Sequence, residues 1–352
     1  MAEHGKGLER RDLLKLGTAA AVGALAGRVV RGADAALGPM PSNPATTGSM
    51  PTRNLGKTGY RVGIFSLGGQ ATLEAPDAEA AAVPIIERAL DLGVNYLDTS
   101  ARYGGDARWS ERYLGQVMKR RRAEAFLASK THDRTRDGSL RLLEKSLQLL
   151  QTDHLDLWQV HALGTPDELE AIFRPGGAIE ALEAAREQRM VRFVGVTGHA
   201  DPDVLLGAIR RYRFDTILMA VNAADPHHLP FQERLLPLAV EKEMGIIGMK
   251  IPARGRLLNS WSPPPIHLLH PWTWTAKAGS LTMREAMRYV LTLPVSTVIV
   301  GCDSVAQLEE NVAIARDFRP LAKAEMAELE QRVQPVHKQA LFFRRWDGQP
   351  VR

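Results

Sequence analysis

Eight short apolar runs, separated by longer helical stretches, constrain the fold of this chain most strongly. Between them, segments such as SLRLLEKSLQLLQ (139–151) carry apolar residues at the i, i+3, i+4 spacing of a helix. Eight strands with a helix in every gap predict a closed (β/α)8 TIM barrel. An open doubly wound sheet is the alternative, but SLGGQAT (66–72) after the first run lacks the GxGxxG turn. The runs cover residues 64–69, 94–100, 125–130, 155–161, 192–198, 216–222, 245–250 and 296–301.

Shorter segments flank the predicted barrel, which covers residues 53–335. The barrel begins with a small β-hairpin around the KTG turn of NLGKTGYRVG (54–63). Residues 37–52, rich in Pro, Ser and Thr, predict a linker in front of it. Residues 336–352 form a C-terminal tail that begins as a helical segment and ends in FFRRW followed by a polar end. We therefore expect a C-terminal helical extension on the barrel.

The first 36 residues have the order of an export signal, with charged, apolar and then small residues. Arg10 and Arg11 precede TAAAVGALAG (18–27), a weakly apolar stretch that is too short for a stable membrane span. Ala33-Asp34-Ala35 then has the pattern of a cleavage site. The segment 1–36 resembles a twin-arginine signal, which implies export to the periplasm as a folded protein. An amphipathic N-terminal helix on a cytoplasmic protein is the alternative.

The composition limits the kinds of partner that the chain can bind and excludes an intrachain disulfide and a cysteine-based zinc site. The net charge of +5 lies largely in short runs such as KRRR (119–122), without a basic stripe interleaved with aromatic residues, so we expect no nucleic-acid partner. One cysteine, Cys302, makes neither an intrachain disulfide nor a cysteine-based zinc site. His227 and His228 beside Asp225 lack a third ligand at a fixed spacing, so we predict a polar loop and no metal site.

Ionisable residues end three successive strand-like runs: Asp98, Lys130 and His161. Because the carboxyl ends of barrel strands meet at one face, we expect Asp98 and Lys130 to form an ion pair there. Tyr103 follows Asp98 on a glycine-rich loop and can reach the same face. We expect the adjacent cation to lower the pKa of Tyr103, which would then donate a proton to a carbonyl oxygen. His161 would orient that carbonyl through an N–H donor.

Several motifs together resemble the aldo/keto reductase family from about residue 54 to residue 315. They are DTSARYGG (98–105), LASK (127–130), SLQLLQTDHLDLWQVH (146–161), MVRFVGVTG (190–198) and VGCDSVAQLEEN (300–311). The resemblance implies a TIM barrel that reduces an aldehyde or ketone with NADPH or NADH. The family's catalytic residues match Asp98, Tyr103, Lys130 and His161. The tyrosine would act as the general acid while hydride passes to the carbonyl carbon.

The same resemblance implies where the nicotinamide nucleotide binds. The adenosine phosphate end would lie at the eighth strand end, and backbone N–H groups at a helix N-terminus there favour anions. The carboxamide and the nicotinamide would lie at the ends of the fifth, sixth and seventh strands. The implied cofactor-binding residues are Thr197, Gly198, His199, Asn222, Lys250, Gly301, Ser304, Gln307, Glu310 and Asn311.

The sequence departs from the family's pattern around the nicotinamide. Gly198-His199 stands where many relatives carry a serine-asparagine pair, and His199 either binds the carboxamide or is a loop histidine. Lys250 stands where relatives often stack an aromatic ring. No lysine or arginine occurs in residues 302–311. The resemblance implies NADP(H) as the cofactor, and the absence of a cation from this loop keeps NAD(H) as the alternative.

Two other functions compete with a carbonyl reductase. A nucleotide-binding sensor or partner-binding module on a reductase barrel would keep the fold without turnover. A metal-dependent barrel hydrolase using His161 and His199 as ligands is disfavoured, because the first strand ends in LGGQ (67–70) and lacks an HxH pair there. A small carbonyl compound is the expected substrate, and the sequence leaves open whether identical chains assemble.

Overall fold

Residues 37–263 and 276–347 are described by a computed structural model. Eight parallel strands close into a barrel, each paired with its neighbour in chain order and the last paired with the first. Nearly every residue of these strands is buried, which is why each reads as a continuous apolar run. The predicted TIM barrel is confirmed. Its strands are β3 (Phe65–Gly68), β4 (Tyr96–Asp98), β5 (Phe126–Thr131), β6 (Leu155–Val160), β7 (Val191–Gly198), β8 (Thr216–Ala220), β9 (Gly245–Met249) and β10 (Thr297–Val300).

Helices follow the barrel strands and cover the outside of the barrel. Threonine or serine side chains accept hydrogen bonds at the N-termini of several helices; Thr282, for example, forms a reciprocal capping box with Glu285. The described helices are α1 (Thr46–Ser49), α2 (Glu79–Asp91), α3 (Trp109–Arg121), α4 (Arg136–Leu150), α5 (Pro166–Phe173), α6 (Ala178–Glu187), α7 (Pro202–Arg211), α8 (Phe231–Glu241), α9 (Met283–Thr292), α10 (Val305–Arg316), α11 (Lys323–Val333) and α12 (His337–Ala340). None of these helices combines the length and apolar character needed to cross a bilayer.

The predicted N-terminal hairpin pairs β1 (Thr52–Asn54) with β2 (Arg61–Gly63) in antiparallel register. Its turn packs against the N-terminal end of the barrel, where Leu55 is fully buried. A Cβ on Gly56 would lie 2.2 Å from the backbone nitrogen of Gly245, so only glycine fits between the hairpin and β9. The hairpin therefore closes the end of the barrel opposite the strand ends that carry Asp98 and Lys130.

The segment 37–52 differs from the expected linker. Asn43 is buried and its amide donates a 2.7 Å hydrogen bond to the carbonyl oxygen of Leu90 in α2. Met50 is buried as well, and its sulfur lies close to Gly63 of the hairpin. Apolar and amide side chains thus hold most of this segment on the barrel. The leader, residues 1–36, lies outside the described residues.

The C-terminal extension crosses the carboxyl ends of β7 and β8. The Arg344 guanidinium is buried, donates to the carbonyl oxygens of His199 (2.6 Å) and Ala220 (2.9 Å), and pairs with the buried carboxylate of Asp225. Trp346 stacks on the His228 ring with their centroids 3.6 Å apart. This arrangement anchors the tail beside the mouth of the barrel.

Candidate active site

Asp98 and Lys130 form an ion pair inside the barrel mouth, as expected from their strand ends. Lys130 Nζ donates to Asp98 Oδ2 and, at 2.6 Å, to the carbonyl oxygen of Thr99. Each side chain is only 1% exposed. The register of the parallel strands, Asp98 opposite Ala128 on β5, directs both side chains to the same interior face.

Burial dominates the electrostatics of this pair. It raises the pKa of Asp98, and the Lys130 charge and its hydrogen bond oppose that rise. It lowers the pKa of Lys130, and Asp98 opposes that shift. Removing either partner would leave the other charge buried without compensation, which is expensive in a low-dielectric interior.

The phenol of Tyr103 lies between the ion pair and the candidate carbonyl-binding histidine. Its ring centroid is 4.9 Å from Lys130 Nζ and 5.7 Å from the His161 ring, in an edge-to-face arrangement. Among the described residues its hydroxyl has no hydrogen-bond partner. The hydroxyl is therefore available to an oxygen atom of a substrate.

The expected lowering of the Tyr103 pKa is wrong. Burial raises the pKa of Tyr103 well above its ordinary value, and the nearby Asp98 and Glu74 carboxylates raise it further. Arg254 opposes the rise but does not reverse it. Desolvation of the phenolate outweighs the attraction of the nearby cation. The hydration free energy that the buried anion loses is larger than its favourable interaction with a cation that is already paired with a carboxylate. Tyr103 is consequently a protonated phenol at neutral pH.

His161 is a neutral imidazole in contact with Ser100, a residue that the sequence did not predict at the site. Burial and the Lys130 charge hold the pKa of His161 well below its ordinary value. Its Nδ1 lies 3.0 Å from Ser100 Oγ, and that oxygen also accepts a 3.2 Å bond from the Arg102 backbone N–H. With the Ser100 hydroxyl as the donor to Nδ1, the proton of the neutral His161 ring lies on Nε2.

A polar bridge joins the end of β9 to the loop after β3. Lys250 Nζ donates to Gln70 Oε1 at 3.0 Å, and the Gln70 amide donates to Glu74 at 3.2 Å. Arg254 lies 3.7 Å from Glu74. Burial and the Arg254 charge lower the pKa of Lys250 to about 8. Gln70 and Glu74 were not expected from the sequence, because their partners lie far away along the chain.

Thr197, Gly198 and His199 lie at the end of β7, and only the last presents a side chain to the mouth. The Thr197 hydroxyl accepts a 2.7 Å bond from the Ala162 N–H, so it supports the loop after β6. A Cβ on Gly198 would lie 2.8 Å from the carbonyl oxygen of Leu163. Burial, then the Lys250 charge, lowers the pKa of His199 well below its ordinary value. A neutral ring at this position suits an amide partner.

Asn222 lies at the end of β8 but uses its amide within the protein. Its Nδ2 donates to the carbonyl oxygen of Lys250 at 3.1 Å, and its Oδ1 accepts from the Ala224 N–H at 2.9 Å. These bonds join the loops after β8 and β9. Its role as a cofactor ligand stays a prediction.

The loop after β10 and the first two turns of α10 contain the five residues predicted for the phosphate end. Ser304 caps α10 by accepting from the Gln307 N–H at 3.2 Å, and Gln307 Oε1 accepts from the Asp303 N–H at 2.8 Å. Asn311 is buried and donates to Cys302 Sγ, and its role as a cofactor ligand stays a prediction. Glu310 is exposed on α10. A Cβ on Gly301 would lie 2.9 Å from the Gln70 carbonyl oxygen, so the backbones of the two loops meet there.

The residues at the mouth fit an anionic dinucleotide. The first turn of α10 carries no acidic residue, so its N–H groups and the helix dipole favour a phosphate. Lys250 and Arg254 supply cations on the neighbouring loop. Ser304, Gln307 and the α10 N-terminus would hold a phosphate, while Tyr103, His161 and His199 would face the reacting end.

The predicted polar loop after β8 is a structural feature. Asp225 pairs with Arg344, while His227 Nε2 and His228 Nε2 each bond a backbone carbonyl oxygen, of Glu330 at 2.8 Å and of Arg345 at 2.7 Å. Across residues 37–263 and 276–347, three or more histidine, cysteine or carboxylate side chains nowhere gather in a group that could hold a metal ion.

Comparisons with known proteins agree with this geometry. A model described as the aldo/keto reductase family matches residues 61–334. The chain is 28% identical over 313 residues to L-galactose dehydrogenase from Arabidopsis thaliana, covering 81% of this chain and 94% of that protein. An aldo-keto reductase from Bacillus halodurans in its holo form superimposes with a TM-score of 0.65 and 26% identity, over 81% of this chain and 97% of that one. An aldo-keto reductase from Klebsiella pneumoniae in complex with NADPH shares the fold, with a TM-score of 0.63 at 21% identity over 81% of this chain and 95% of that one.

The closed barrel, with an acid–base cluster at the carboxyl ends of its strands, defines a TIM-barrel oxidoreductase. The family match covers most of the chain. The chain belongs to the aldo/keto reductase family and is an NAD(P)H-dependent oxidoreductase.

Proposed function

We propose that this protein interconverts an aldehyde or ketone and the corresponding alcohol, with Tyr103 as the general acid in the direction of reduction. One observation carries the proposal: the hydroxyl of Tyr103 is left unbonded among the described residues, beside Lys130 and His161. The bound nicotinamide supplies the hydride at the carbonyl carbon.

The residues around Tyr103 have separate tasks in this proposal. His161 donates its Nε2 proton to the carbonyl oxygen as a hydrogen bond and so orients it, because Ser100 occupies Nδ1. Tyr103 transfers its phenolic proton to the same oxygen as negative charge develops there. Lys130, held by Asp98, stabilises the resulting phenolate through its nearby ammonium. Solvent then reprotonates Tyr103.

NADP(H) is the proposed cofactor and NAD(H) the alternative. Support for a phosphorylated nucleotide comes from the Arg254 cation on the loop after β9, while residues 302–311 contain no cation for a second phosphate. Parallel titrations of the full chain with NADPH and NADH decide between them. Tighter binding of NADPH supports the proposal, and tighter binding of NADH replaces it with the alternative.

The substrate class is tested with a panel of carbonyl compounds and alcohols. Sugars belong in the panel because one relative is an L-galactose dehydrogenase. Nucleotide oxidation that depends on an added aldehyde or ketone supports a reductase. Nucleotide binding without turnover on any compound would instead favour a sensor or partner-binding module.

We also propose that residues 1–36 direct export through a twin-arginine route and that the barrel acts outside the cytoplasm. The support is the order of Arg10-Arg11, the apolar stretch and Ala33-Asp34-Ala35. Fractionation of cells that express the full chain tests the proposal, with Arg10→Lys/Arg11→Lys as the comparison. Equal cytoplasmic retention of both chains would contradict export.

A further inference from the structure

Lys250 differs from the other mouth lysine in the charge of its partner. Lys130 is bonded to the carboxylate of Asp98, whereas Lys250 Nζ is bonded to the neutral amide of Gln70 at 3.0 Å. Within the described part of the chain no carboxylate lies in ion-pair contact with Lys250. The ammonium therefore leaves a net positive charge at the end of β9.

That charge acts on the reacting centre. Lys250 lies close enough to affect the pKa values of Asp98 and His199, both of which line the mouth. A nucleotide that exchanges hydride beside Tyr103 must place its nicotinamide ring in the same small space. The oxidised ring carries a positive charge and the reduced ring is neutral, so a fixed cation interacts unequally with the two forms.

We propose that Lys250 makes this site prefer the reduced nicotinamide nucleotide over the oxidised one, which rests on the nucleotide-binding function proposed above. The oxidised nucleotide formed by carbonyl reduction would then leave readily, because the ammonium repels its ring. Lys250 touches no reacting atom in this account. It is a specificity-determining residue that sets which redox form the site holds.

The charge of Lys250 also makes this preference depend on pH. The pKa of Lys250 is lowered to about 8, so the ammonium loses its proton within a range the protein can be studied in. As pH rises through that value, the repulsion of the oxidised ring should disappear. The charged and titratable groups that face Lys250 are Arg254 and Glu74 on the adjoining loops, Asp98 and Lys130 inside the barrel, and His199 at the end of β7.

The test compares equilibrium binding of both redox forms, without turnover. The full chain and the Lys250→Met and Lys250→Arg variants are titrated with NADPH by fluorescence and with NADP⁺ by competition. Measurements are made at about pH 6 and at about pH 10, on either side of the Lys250 transition. The measured quantity is the ratio of the dissociation constant of NADP⁺ to that of NADPH. Lys250→Arg is the matched control, because arginine keeps its charge at both pH values.

At low pH the ratio should fall by about tenfold in Lys250→Met and stay near that of the unmodified chain in Lys250→Arg. At high pH the ratio measured for the unmodified chain should approach the ratio measured for Lys250→Met. Equal ratios in all three proteins at both pH values would overturn the inference while leaving the reductase intact. An equal decrease of this ratio in Lys250→Met at both pH values would indicate an effect of packing instead of charge, and would also overturn the inference. Absence of binding by every nucleotide to the unmodified chain would refute the proposed function itself.

Discussion

Ser100 Oγ lies 3.0 Å from Nδ1 of His161, and that contact fixes which imidazole nitrogen faces the mouth of the barrel. Burial keeps His161 neutral, so one ring nitrogen carries a proton and the other does not. With Ser100 donating to Nδ1, the proton stays on Nε2, where a carbonyl oxygen can accept it. Under that donor assignment, a loop serine two residues beyond Asp98 sets the tautomer of His161.

Ser100→Ala should weaken catalysis without weakening nucleotide binding. Loss of the hydroxyl leaves Nδ1 free to take the proton, so Nε2 becomes an acceptor in part of the population. We expect kcat to fall by about tenfold, the effect of one neutral hydrogen bond. Steady-state kinetics measure the change, and Ser146→Ala on α4, whose hydroxyl bonds the Leu142 carbonyl oxygen, is the control. An unchanged kcat in Ser100→Ala would refute the tautomer assignment.

Removing one charged partner of the Asp98–Lys130 ion pair should destabilise the fold. Lys130→Met leaves the Asp98 carboxylate buried without its cation, and we expect a loss of about 3–5 kcal/mol in the free energy of unfolding. Asp98→Asn/Lys130→Met removes both charges and should lose less than the sum of the two single variants. Urea unfolding gives the free energy of unfolding of the unmodified chain, Asp98→Asn, Lys130→Met and the double variant. Strict additivity would show that the two groups do not interact.

The attachment of the C-terminal tail to the barrel should depend on the buried Arg344 and not on the exposed Arg345. Arg344→Met leaves the Asp225 carboxylate buried and unpaired, so we expect about 3–5 kcal/mol of destabilisation and faster hydrogen exchange in residues 337–347. Arg345→Met is the control, because Arg345 is 53% exposed beside Asp201 and its pair should contribute at most about 1 kcal/mol. Equal effects of the two substitutions would contradict this account of the anchor.

The raised pKa of Tyr103 predicts how stability changes at alkaline pH. A phenol whose pKa is higher in the folded state contributes stability that is fully present below its unfolded value of about 10. That contribution is lost as pH rises through the folded pKa, since only the unfolded chain ionises readily in between. The free energy of unfolding should therefore fall less steeply above about pH 10 in Tyr103→Phe than in the unmodified chain. Parallel slopes would show that the Tyr103 pKa is not raised.

The sequence predicted those parts of the site that strand periodicity determines. Asp98, Lys130 and His161 end parallel strands, and parallel strand ends must meet at one face, so their proximity followed from the chain alone. The bond between Lys250 and Gln70 did not follow, because it joins loops 180 residues apart. Loop contacts depend on backbone paths that periodicity does not encode.

Other departures have definite physical causes. The Tyr103 pKa was predicted in the wrong direction because a sequence shows which cations are near but not how completely the phenol is desolvated. The segment 37–52 has the composition of a linker, yet Asn43 and Met50 dock it on the barrel through contacts with distant residues. Asn222 ends a strand as expected, but the neighbouring loops use its amide.

Tyr103→Phe separates a proton-donating tyrosine from one that only packs beside Lys130 and His161. The full chain, this variant and Tyr212→Phe, which removes a hydroxyl far from the mouth, are loaded with reduced nucleotide and mixed with a carbonyl substrate that the unmodified chain turns over. We predict that all three bind the nucleotide with similar affinity, while the rate of its oxidation falls by about 10²–10⁴-fold in Tyr103→Phe alone. A Tyr103→Phe protein that oxidises its nucleotide at the unmodified rate would contradict the assignment of Tyr103 as the general acid.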